Sequence, residues 1–226
     1  MKHYRLDDLP LFSGLTKDDI TAFIDSTKSV IKEYPKGSRL LRAMEKNTDI
    51  HLLVDGKVLV IVEDKFGNET TGHEVARGNI MGATSAILDK NYNLTSIETL
   101  TDVAVLLIPY KKLIDAVPKM ARIHGIIMKN MLEAFAIKML LMTEKLEIVA
   151  TKSLRHRILL YISQQQQHQQ KAKIDIPSKV QLARTLSCNR SALTRELALM
   201  VEEGLIKMDK NHLEAPLEPY FTADTI

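Results

Sequence analysis

Hydrophobic residues between about 30 and 108 occur in short runs that are separated by turn residues. In DIHLLVDGKVLVIVED, two apolar runs flank Asp55-Gly56, and KFGNET follows as a second turn signal. Such runs predict short strands, and the Asp-Gly pair predicts a hairpin turn. Several strands at this spacing favour an antiparallel β-roll or jelly roll over a parallel sheet. Before them, TKDDITAFIDST predicts a helix with Thr16 as its N-cap.

A long helix is predicted between about residues 119 and 150. Its apolar residues alternate in steps of four and three, which is the spacing of a coiled-coil seam. The seam comprises Ala121, Gly125, Met128, Leu132, Phe135, Met139, Met142, Leu146 and Val149. A second apolar stripe suits packing on the chain's own β domain, and it comprises Ile127, Met131, Ala134, Leu141 and Ile148. We expect the seam to form a homodimer; a helix buried on all sides in a monomer is the alternative.

The region after residue 151 has the pattern of a small separate unit. SLRHRILLYIS predicts an amphipathic helix, the polar tract QQQQHQQKAK a loop or frayed helix end, and KIDIP a short strand. SKVQLARTL and NRSALTRELALMVEEG predict two helices joined by a tight turn, and LIKMDKNHLEA predicts a two-stranded wing. This is the layout of a winged helix-turn-helix. We therefore expect an α+β protein with a β-roll over 1–117, a dimerisation helix over 118–151 and a winged helix-turn-helix over 152–226.

The second helix of that motif begins with short polar and basic residues, although acidic residues would suit its dipole better. In a helix-turn-helix these positions meet base edges in the major groove, where arginine pairs with guanine and small polar side chains contact bases or phosphates. The predicted base-contacting set is Asn189, Arg190, Ser191, Thr194 and Arg195. The predicted phosphate contacts are Lys152, Arg155, Lys179 and Arg184. A solvated helix face in a protein-binding domain is the alternative interpretation.

Charge is distributed unevenly along the chain. Between Lys152 and Arg195 there are nine lysines and arginines against one acid, Asp175, a local excess of +8 in a chain whose net charge is +3. The rest of the chain therefore carries −5. Such asymmetry indicates a polyanionic partner for one region only, and we expect that partner to be double-stranded DNA.

Cysteine content and hydropathy exclude several other classes. The one cysteine, Cys188, excludes an intramolecular disulfide framework and a cluster held by four thiolates of one chain. No apolar run approaches the roughly 18–20 residues of a membrane span, and the N-terminal residues have no apolar segment of signal-peptide length. We expect a cytoplasmic protein without a membrane partner.

The order of these regions resembles the Crp/Fnr family of bacterial transcription regulators over nearly the whole chain. LFSGLT, YPKGSRLL, IHLLVDGKVLVIVEDKFGNE, ARGNIMG and LARTLSCNRSALTREL carry the resemblance, the last most specifically. It implies a β-roll sensor domain, a dimerising helix and a winged helix-turn-helix that binds two-fold symmetric promoter sites. It also implies RNA polymerase as a partner, as for an activator, although the residues themselves leave activation and repression open.

The chain departs from the family at the residues that grip cyclic AMP. Members that bind it carry a Gly-Glu pair and, further on, an Arg-Ser or Arg-Thr pair. The corresponding places here are Gly82-Ala83 and Asn93-Leu94. Because the carboxylate and the guanidinium are both missing, the resemblance implies an effector other than a cyclic nucleotide. In the reading helix, Ser191 stands where many members have a glutamate, so the half-site should differ there, while Arg195 matches the family's guanine-contacting arginine.

The effector is expected between the β-roll and the long helix. The predicted pocket wall is mostly apolar, which suits haem or an apolar organic ligand. It comprises Met81, Gly82, Ile87, Leu88, Leu94, Met128, Met131 and Phe135. A haem would need an axial ligand, for which His51, His73 and His124 are the candidates. Each of them is equally compatible with a surface or hydrogen-bonded role.

Two other classes of protein stay open. A metal-binding, cupin-like enzyme would need two or three histidines with a nearby carboxylate. His51 and His73 form no His-x-His pair, and no nucleophile motif is present, so we do not expect an enzyme. A ligand-independent dimeric interaction module is the other alternative, and the basic segment argues against it.

Overall fold

The computed structural model describes residues 4–63, 69–88, 92–115, 118–209 and 212–215. Its contacts divide the chain into two compact units, Met1–Phe135 and Ala136–Ile226. The division falls inside a long helix rather than at the predicted boundaries near residues 117 and 151, because the two ends of that helix belong to different cores. The predicted boundaries stay predictions, and the two units are described separately.

The N-terminal unit begins with a short 3₁₀ turn, Pro10–Phe12, and helix α1, Lys17–Thr27. The Thr16 hydroxyl accepts a hydrogen bond from the Asp19 N–H at 3.2 Å, and the Asp19 carboxylate accepts one from the Thr16 N–H at 3.0 Å. This reciprocal capping box satisfies two donors that the first turn leaves free. The predicted N-cap at Thr16 is confirmed.

The strands of this unit form two antiparallel sheets in the described part of the chain. One has the order β1-β8-β3-β6 and the other β2-β7-β4-β5. The strands are β1 Val30–Tyr34, β2 Arg39–Leu41, β3 Asp49–Asp55, β4 Lys57–Glu63, β5 Glu69–Ala76, β6 Ile80–Met81, β7 Ser96–Thr99 and β8 Val103–Pro109. The two sheets confirm the predicted antiparallel β-roll.

The turn at Asp55-Gly56 does not close a hairpin, so that prediction is wrong. Strand β3 pairs with β6 and β8, whereas β4 pairs with β5 and β7, and the turn carries the chain from one sheet to the other. Gly56 has a φ of +85° and lies so close to Asp102 that a Cβ would be 2.4 Å from its carbonyl oxygen. The hairpin is instead β4–β5, and the predicted KFGNET turn lies mostly at residues 64–68, outside the described residues.

Both faces of β3 are buried, which explains why its sequence is a continuous apolar run. Ile50 and Leu52 pack in a cluster with Phe23 of α1 and with Met131. Leu53 points to the opposite face and packs with Val58 in the cluster between the two sheets. The roll therefore has an inner core, and a second core beneath the helices.

Three further helices complete the first unit and lead out of it. They are α2 Ala83–Ile87, α3 Tyr110–Ile114 and α4 Ala121–Ala150, which follows a 3₁₀ turn at Pro118–Met120. The predicted long helix is thereby confirmed. None of the helices in the described ranges is long and apolar enough to cross a membrane.

The C-terminal unit contains the predicted elements in the predicted order. They are α5 Leu154–Gln169, β9 Lys173–Asp175, α6 Lys179–Thr185, α7 Arg190–Glu202, β10 Lys207–Asp209 and β11 His212–Glu214. The strands form a small antiparallel sheet in the order β10-β11-β9. Leu193, Leu197 and Met200 of α7 are fully buried, which leaves the opposite face of α7 to solvent.

The glutamine tract is helical as far as Gln169, so of the two predicted alternatives the loop is wrong and the tract is the end of helix α5. Glutamine is a good helix former, and three of these side chains, Gln164, Gln166 and Gln169, also donate to main-chain carbonyls. The Gln164 amide donates to the Glu144 carbonyl at 3.2 Å, and the Gln166 amide donates to the Ala172 carbonyl at 2.7 Å. Gln164 and Gln166 are therefore buried in this unit, whereas Gln167, His168 and Gln170 stay exposed.

Candidate functional site

Helix α7 begins at an asparagine cap. The Asn189 side-chain oxygen accepts from the Ala192 N–H at 2.7 Å and from the Ser191 hydroxyl at 2.9 Å. Both bonds lie within the first turn, so that oxygen stabilises the start of the helix. Asn189 is predicted to contact bases, and the structure shows it as the N-cap of α7; an asparagine directly before an apolar helix, as in NRSAL, is the sequence signal for this role.

The other predicted base-contacting residues lie together on the exposed face of α7. Arg190, Ser191, Thr194 and Arg195 line one surface depression. The Thr194 hydroxyl donates to the Arg190 carbonyl at 2.9 Å, which holds it against the helix. In the described part of the chain, neither guanidinium is paired with a carboxylate. The face thus presents two uncompensated positive charges with small hydroxyls between them.

The predicted phosphate contacts are not alike in the structure. Lys152 and Arg184 are exposed, and Lys179 is half-buried at the start of α6. Arg155 instead points at α7, where its Nε lies 2.7 Å from Glu196 Oε1 and its Nη1 lies 2.7 Å from Glu203 Oε2. Its donors are occupied by carboxylates, so a phosphate contact by Arg155 is not supported.

The predicted dimer seam on α4 is partly open to solvent. Leu132, Met139, Met142 and Leu146 are each about two-thirds exposed, from 64% to 70%. Met128 and Phe135 differ, because they are partly buried against the core of the N-terminal unit. A row of large exposed apolar side chains on one helix is typical of an interaction surface.

The structure does not gather the predicted pocket residues into one wall. Met81 is buried in the core between the two sheets, whereas Met131 is buried, and Met128 and Phe135 are partly buried, in the core beneath the helices. Leu94 is 73% exposed. Side chains on opposite faces of a strand or helix serve different cores, and the sequence does not show which core each joins. The pocket stays a prediction.

A buried polar network occupies the places that correspond to the cyclic-nucleotide grip. The Asn47 amide donates to the Gly82 carbonyl at 2.9 Å and to Ser85 Oγ at 3.0 Å. Ser85 Oγ in turn donates to Asn93 Oδ1 at 2.8 Å, and the Asn93 amide donates to the Arg42 carbonyl at 3.1 Å. These groups are neutral and satisfy one another. The network offers no positive charge to an anionic phosphate.

The candidate haem ligands lie on three different elements. His51 of β3 is buried, and burial lowers its pKa to about 4, so the imidazole is neutral at pH 7. His73 is exposed on β5. The His124 ring on α4 lies edge-on to Phe23, and its Nδ1 donates to the Leu113 carbonyl at 2.9 Å.

The second nitrogen of His124, Nε2, is buried and has no hydrogen-bond partner in the described residues. A histidine that donates one N–H to a main-chain carbonyl and leaves the other nitrogen free has the arrangement common among ligating histidines. Across the same residues, no three His, Cys, Asp or Glu side chains come close enough to hold one metal ion.

Comparison with known proteins gives a family match for part of the chain. Residues 31–119 match the family model described as Cyclic nucleotide-binding domain. No curated protein matches the chain. The matched residues run from strand β1 to the 3₁₀ turn at Pro118–Met120, which precedes α4.

Solved structures match most of the chain. The catabolite activator protein of Thermus thermophilus has a TM-score of 0.53 at 19% identity, covering 91% of this chain and 93% of that one. The c-di-GMP responsive global regulator CLP of Xanthomonas campestris has a TM-score of 0.58 at 17% identity, covering 88% and 99%. CprK in complex with OCPA has a TM-score of 0.64 at 16% identity, and the match covers 87% of this chain and 88% of CprK. At these identities the likeness establishes the fold, which is that of catabolite activator proteins.

Burial of His51 predicts a specific loss of stability in mild acid. The unfolded chain binds a proton on this histidine near pH 6.5, whereas the folded chain binds it only near pH 4. Stability should therefore fall as the pH falls through that window, by at most about 3 kcal/mol from this group. Urea unfolding followed by circular dichroism between pH 7.5 and 4.5 measures the slope. His51→Gln should flatten it and His156→Gln, an exposed control, should not; an unchanged slope in His51→Gln would contradict the assignment.

Proposed function

We propose that the protein is a homodimeric, sequence-specific DNA-binding transcription regulator of the Crp/Fnr type. The observation that carries this proposal is the exposed start of α7, where Arg190 and Arg195 have no carboxylate partner among the described residues and flank two hydroxyls. Helix α6 and a tight turn precede it, and the strands β10 and β11 follow it, as in a winged helix-turn-helix. The family match over residues 31–119 and the fold of catabolite activator proteins support the same class.

In this proposal α7 enters the major groove of double-stranded DNA. Arg195 forms two hydrogen bonds with O6 and N7 of a guanine, and Arg190, Ser191 and Thr194 contact neighbouring bases or phosphates. Lys152, Lys179 and Arg184 bind phosphates, which adds affinity but little sequence information. Such a regulator acts in the cytoplasm on promoter DNA and RNA polymerase.

The proposed dimer forms through α4, because its exposed apolar row needs a cover of matching chemistry. An identical helix from a second copy provides that cover, with residues of one row packing between residues of the other. A symmetric dimer presents two copies of α7, which suits a two-fold symmetric DNA site.

The proposed effector is not a cyclic nucleotide. Asn93 stands where the resemblance places an arginine, and its carboxamide is buried and already bonded to Ser85 and Arg42. Burying a phosphate without a positive partner is costly. We propose haem, with a bound gas as signal, or a small apolar organic ligand. Among the described residues, His51 Nδ1 and His124 Nε2 are both buried without a hydrogen-bond partner, and His124, whose Nδ1 is held by the Leu113 carbonyl, is the first haem ligand to test.

Arg195→Ala should weaken binding to the specific site by about 1–3 kcal/mol, since a bidentate contact to guanine is lost. The site is first selected from random duplex DNA with the wild-type protein, and affinity is then measured by fluorescence anisotropy. Lys152→Ala is the control, which should weaken specific and unrelated DNA alike. Unchanged affinity and preference in Arg195→Ala would refute its role, and failure of wild type to select any sequence would refute DNA reading itself.

Met142→Glu should split the dimer, because two carboxylates would face each other across an apolar seam. Met142 is preferable to Phe135 for this test, since Phe135 also packs in the core of its own unit. Ile137→Glu is the matched control: it places the same charge at an exposed apolar position away from the seam row. Sedimentation velocity should give a monomer for the first variant and a dimer for the second. An intact Met142→Glu dimer would show that the seam is misassigned.

An anaerobic titration with haem should produce a saturable Soret band at one haem per chain, shifted by nitric oxide or carbon monoxide. His124→Ala should abolish the band, whereas His73→Ala should retain it. A protein that gives no specific band has no haem site, and native mass spectrometry then tests for an organic effector. Stoichiometric iron or manganese in the purified protein, without haem, would favour the cupin-like alternative instead.

A further inference from the structure

Arg157 of α5 is half-buried and is surrounded by main-chain carbonyl groups. Its Nε donates to the Thr151 carbonyl at 2.6 Å, and its Nη2 donates to the Lys152 carbonyl at 3.2 Å. Its Nη1 donates to the carbonyls of Leu186 at 2.9 Å and Ser187 at 3.3 Å. In the described residues it is paired with no carboxylate.

These carbonyls come from two separate helix ends. Thr151 and Lys152 directly follow α4, and Leu186 and Ser187 directly follow α6. The last carbonyls of a helix lack donors from the next turn and lie at the negative end of the helix dipole. One guanidinium, with its planar fork of N–H groups, therefore satisfies two helix C-termini at once and fixes one relative to the other.

The second of these ends is the turn from which α7 begins. Ser187 has a φ of +51°, a backbone conformation that non-glycine residues rarely adopt, and the Cys188 N–H donates to the Ala183 carbonyl at 3.0 Å. The cap Asn189 follows at once. The position of this turn therefore sets where α7 starts and in which direction Arg190 and Arg195 point.

A neighbouring arginine holds the same helix further along. Arg155 lies two residues before Arg157 on α5 and binds Glu196 and Glu203, near the middle and the end of α7. Arg157 binds the turn at the start of α7, and Arg155 binds side chains near the middle and the end of α7. These contacts hold both ends of α7 against α5, and so determine the position and the direction of α7 relative to α5.

We propose that Arg157 is a positioning residue for DNA recognition: it fixes the turn before α7 to the segment after α4 and does not itself contact DNA. The proposal rests on the proposed function of α7. From sequence alone, Arg157 would count as one more phosphate-binding cation in the basic segment. Its guanidinium is instead committed to four carbonyls through three different nitrogens. A lysine does not reproduce this arrangement, because all the donors of an ammonium lie on one nitrogen.

The two roles differ in their response to salt. Loss of a phosphate contact weakens specific and unrelated DNA alike and reduces the slope of log affinity against log salt by about one. Loss of a positioning residue lowers the ratio of specific to unrelated affinity and leaves the slope unchanged. The test uses Arg157→Lys and Arg157→Met, with Arg184→Met as matched control, each against the selected site and an unrelated duplex of equal length at several salt concentrations.

We expect both Arg157 variants to lower the specificity ratio at least about tenfold, a loss of about 1.4 kcal/mol, with an unchanged salt slope. Arg184→Met should flatten the slope and keep the ratio. A flattened slope with an unchanged ratio in the Arg157 variants would show a phosphate contact and overturn the proposal. Wild-type behaviour of Arg157→Lys would overturn it as well, because the fork would then be unnecessary.

A second measurement works without DNA. Hydrogen exchange of the peptide covering residues 183–190, in the full-length protein, should be faster in both Arg157 variants and unchanged in Lys152→Ala, a charge removal outside that peptide. If wild type selects no DNA sequence, the proposed function fails, while this exchange still decides whether Arg157 holds the turn. Faster exchange with an unchanged specificity ratio would overturn positioning, because the turn would then be held without affecting recognition.

Discussion

Helix α4 must bury apolar side chains on more than one side, and most of the architecture depends on this constraint. Near its start, Ile127 and Met131 belong to the core beneath the helices of the N-terminal unit. Near its end, Ile148 belongs to the core of the C-terminal unit. Residues between them leave a row of large apolar side chains in solvent. One helix thus supplies both cores, and its remaining face is the surface on which we propose that a second copy binds.

Arginines of the C-terminal unit illustrate how one side chain serves different physical purposes. Arg190 and Arg195 are exposed and unpaired by carboxylates in the described residues, so their charge is available to a ligand. Arg155 is bound to two carboxylates, and Arg157 to four carbonyls. A guanidinium takes the partner that its neighbours provide, and the free ones are those on the face opposite the core.

In the β-roll, the polar groups around Asn93 are likewise bound to neighbouring protein groups and are not available to a ligand. Asn47, Ser85 and Asn93 satisfy one another and nearby carbonyls in a buried position. The region that matches the family model described as Cyclic nucleotide-binding domain therefore carries, at these places, amides and a hydroxyl that are already hydrogen-bonded. That supports our proposal of an effector other than a cyclic nucleotide.

Local sequence patterns determined most elements: the strands follow from short apolar runs between turn residues, α1 from its cap, and the long helix and the two helices before the small sheet from helical spacing. Only the tertiary structure decided which strands pair and which groups form hydrogen bonds with each other. Asp55-Gly56 turns between sheets instead of within one, because pairing depends on distant strands such as β8. Gln164 is buried because the Glu144 carbonyl, twenty residues away, accepts its amide, and Arg157 binds a turn some thirty residues away. Spacing is local information, whereas hydrogen-bond partners and shared cores are set by which segments the fold brings together.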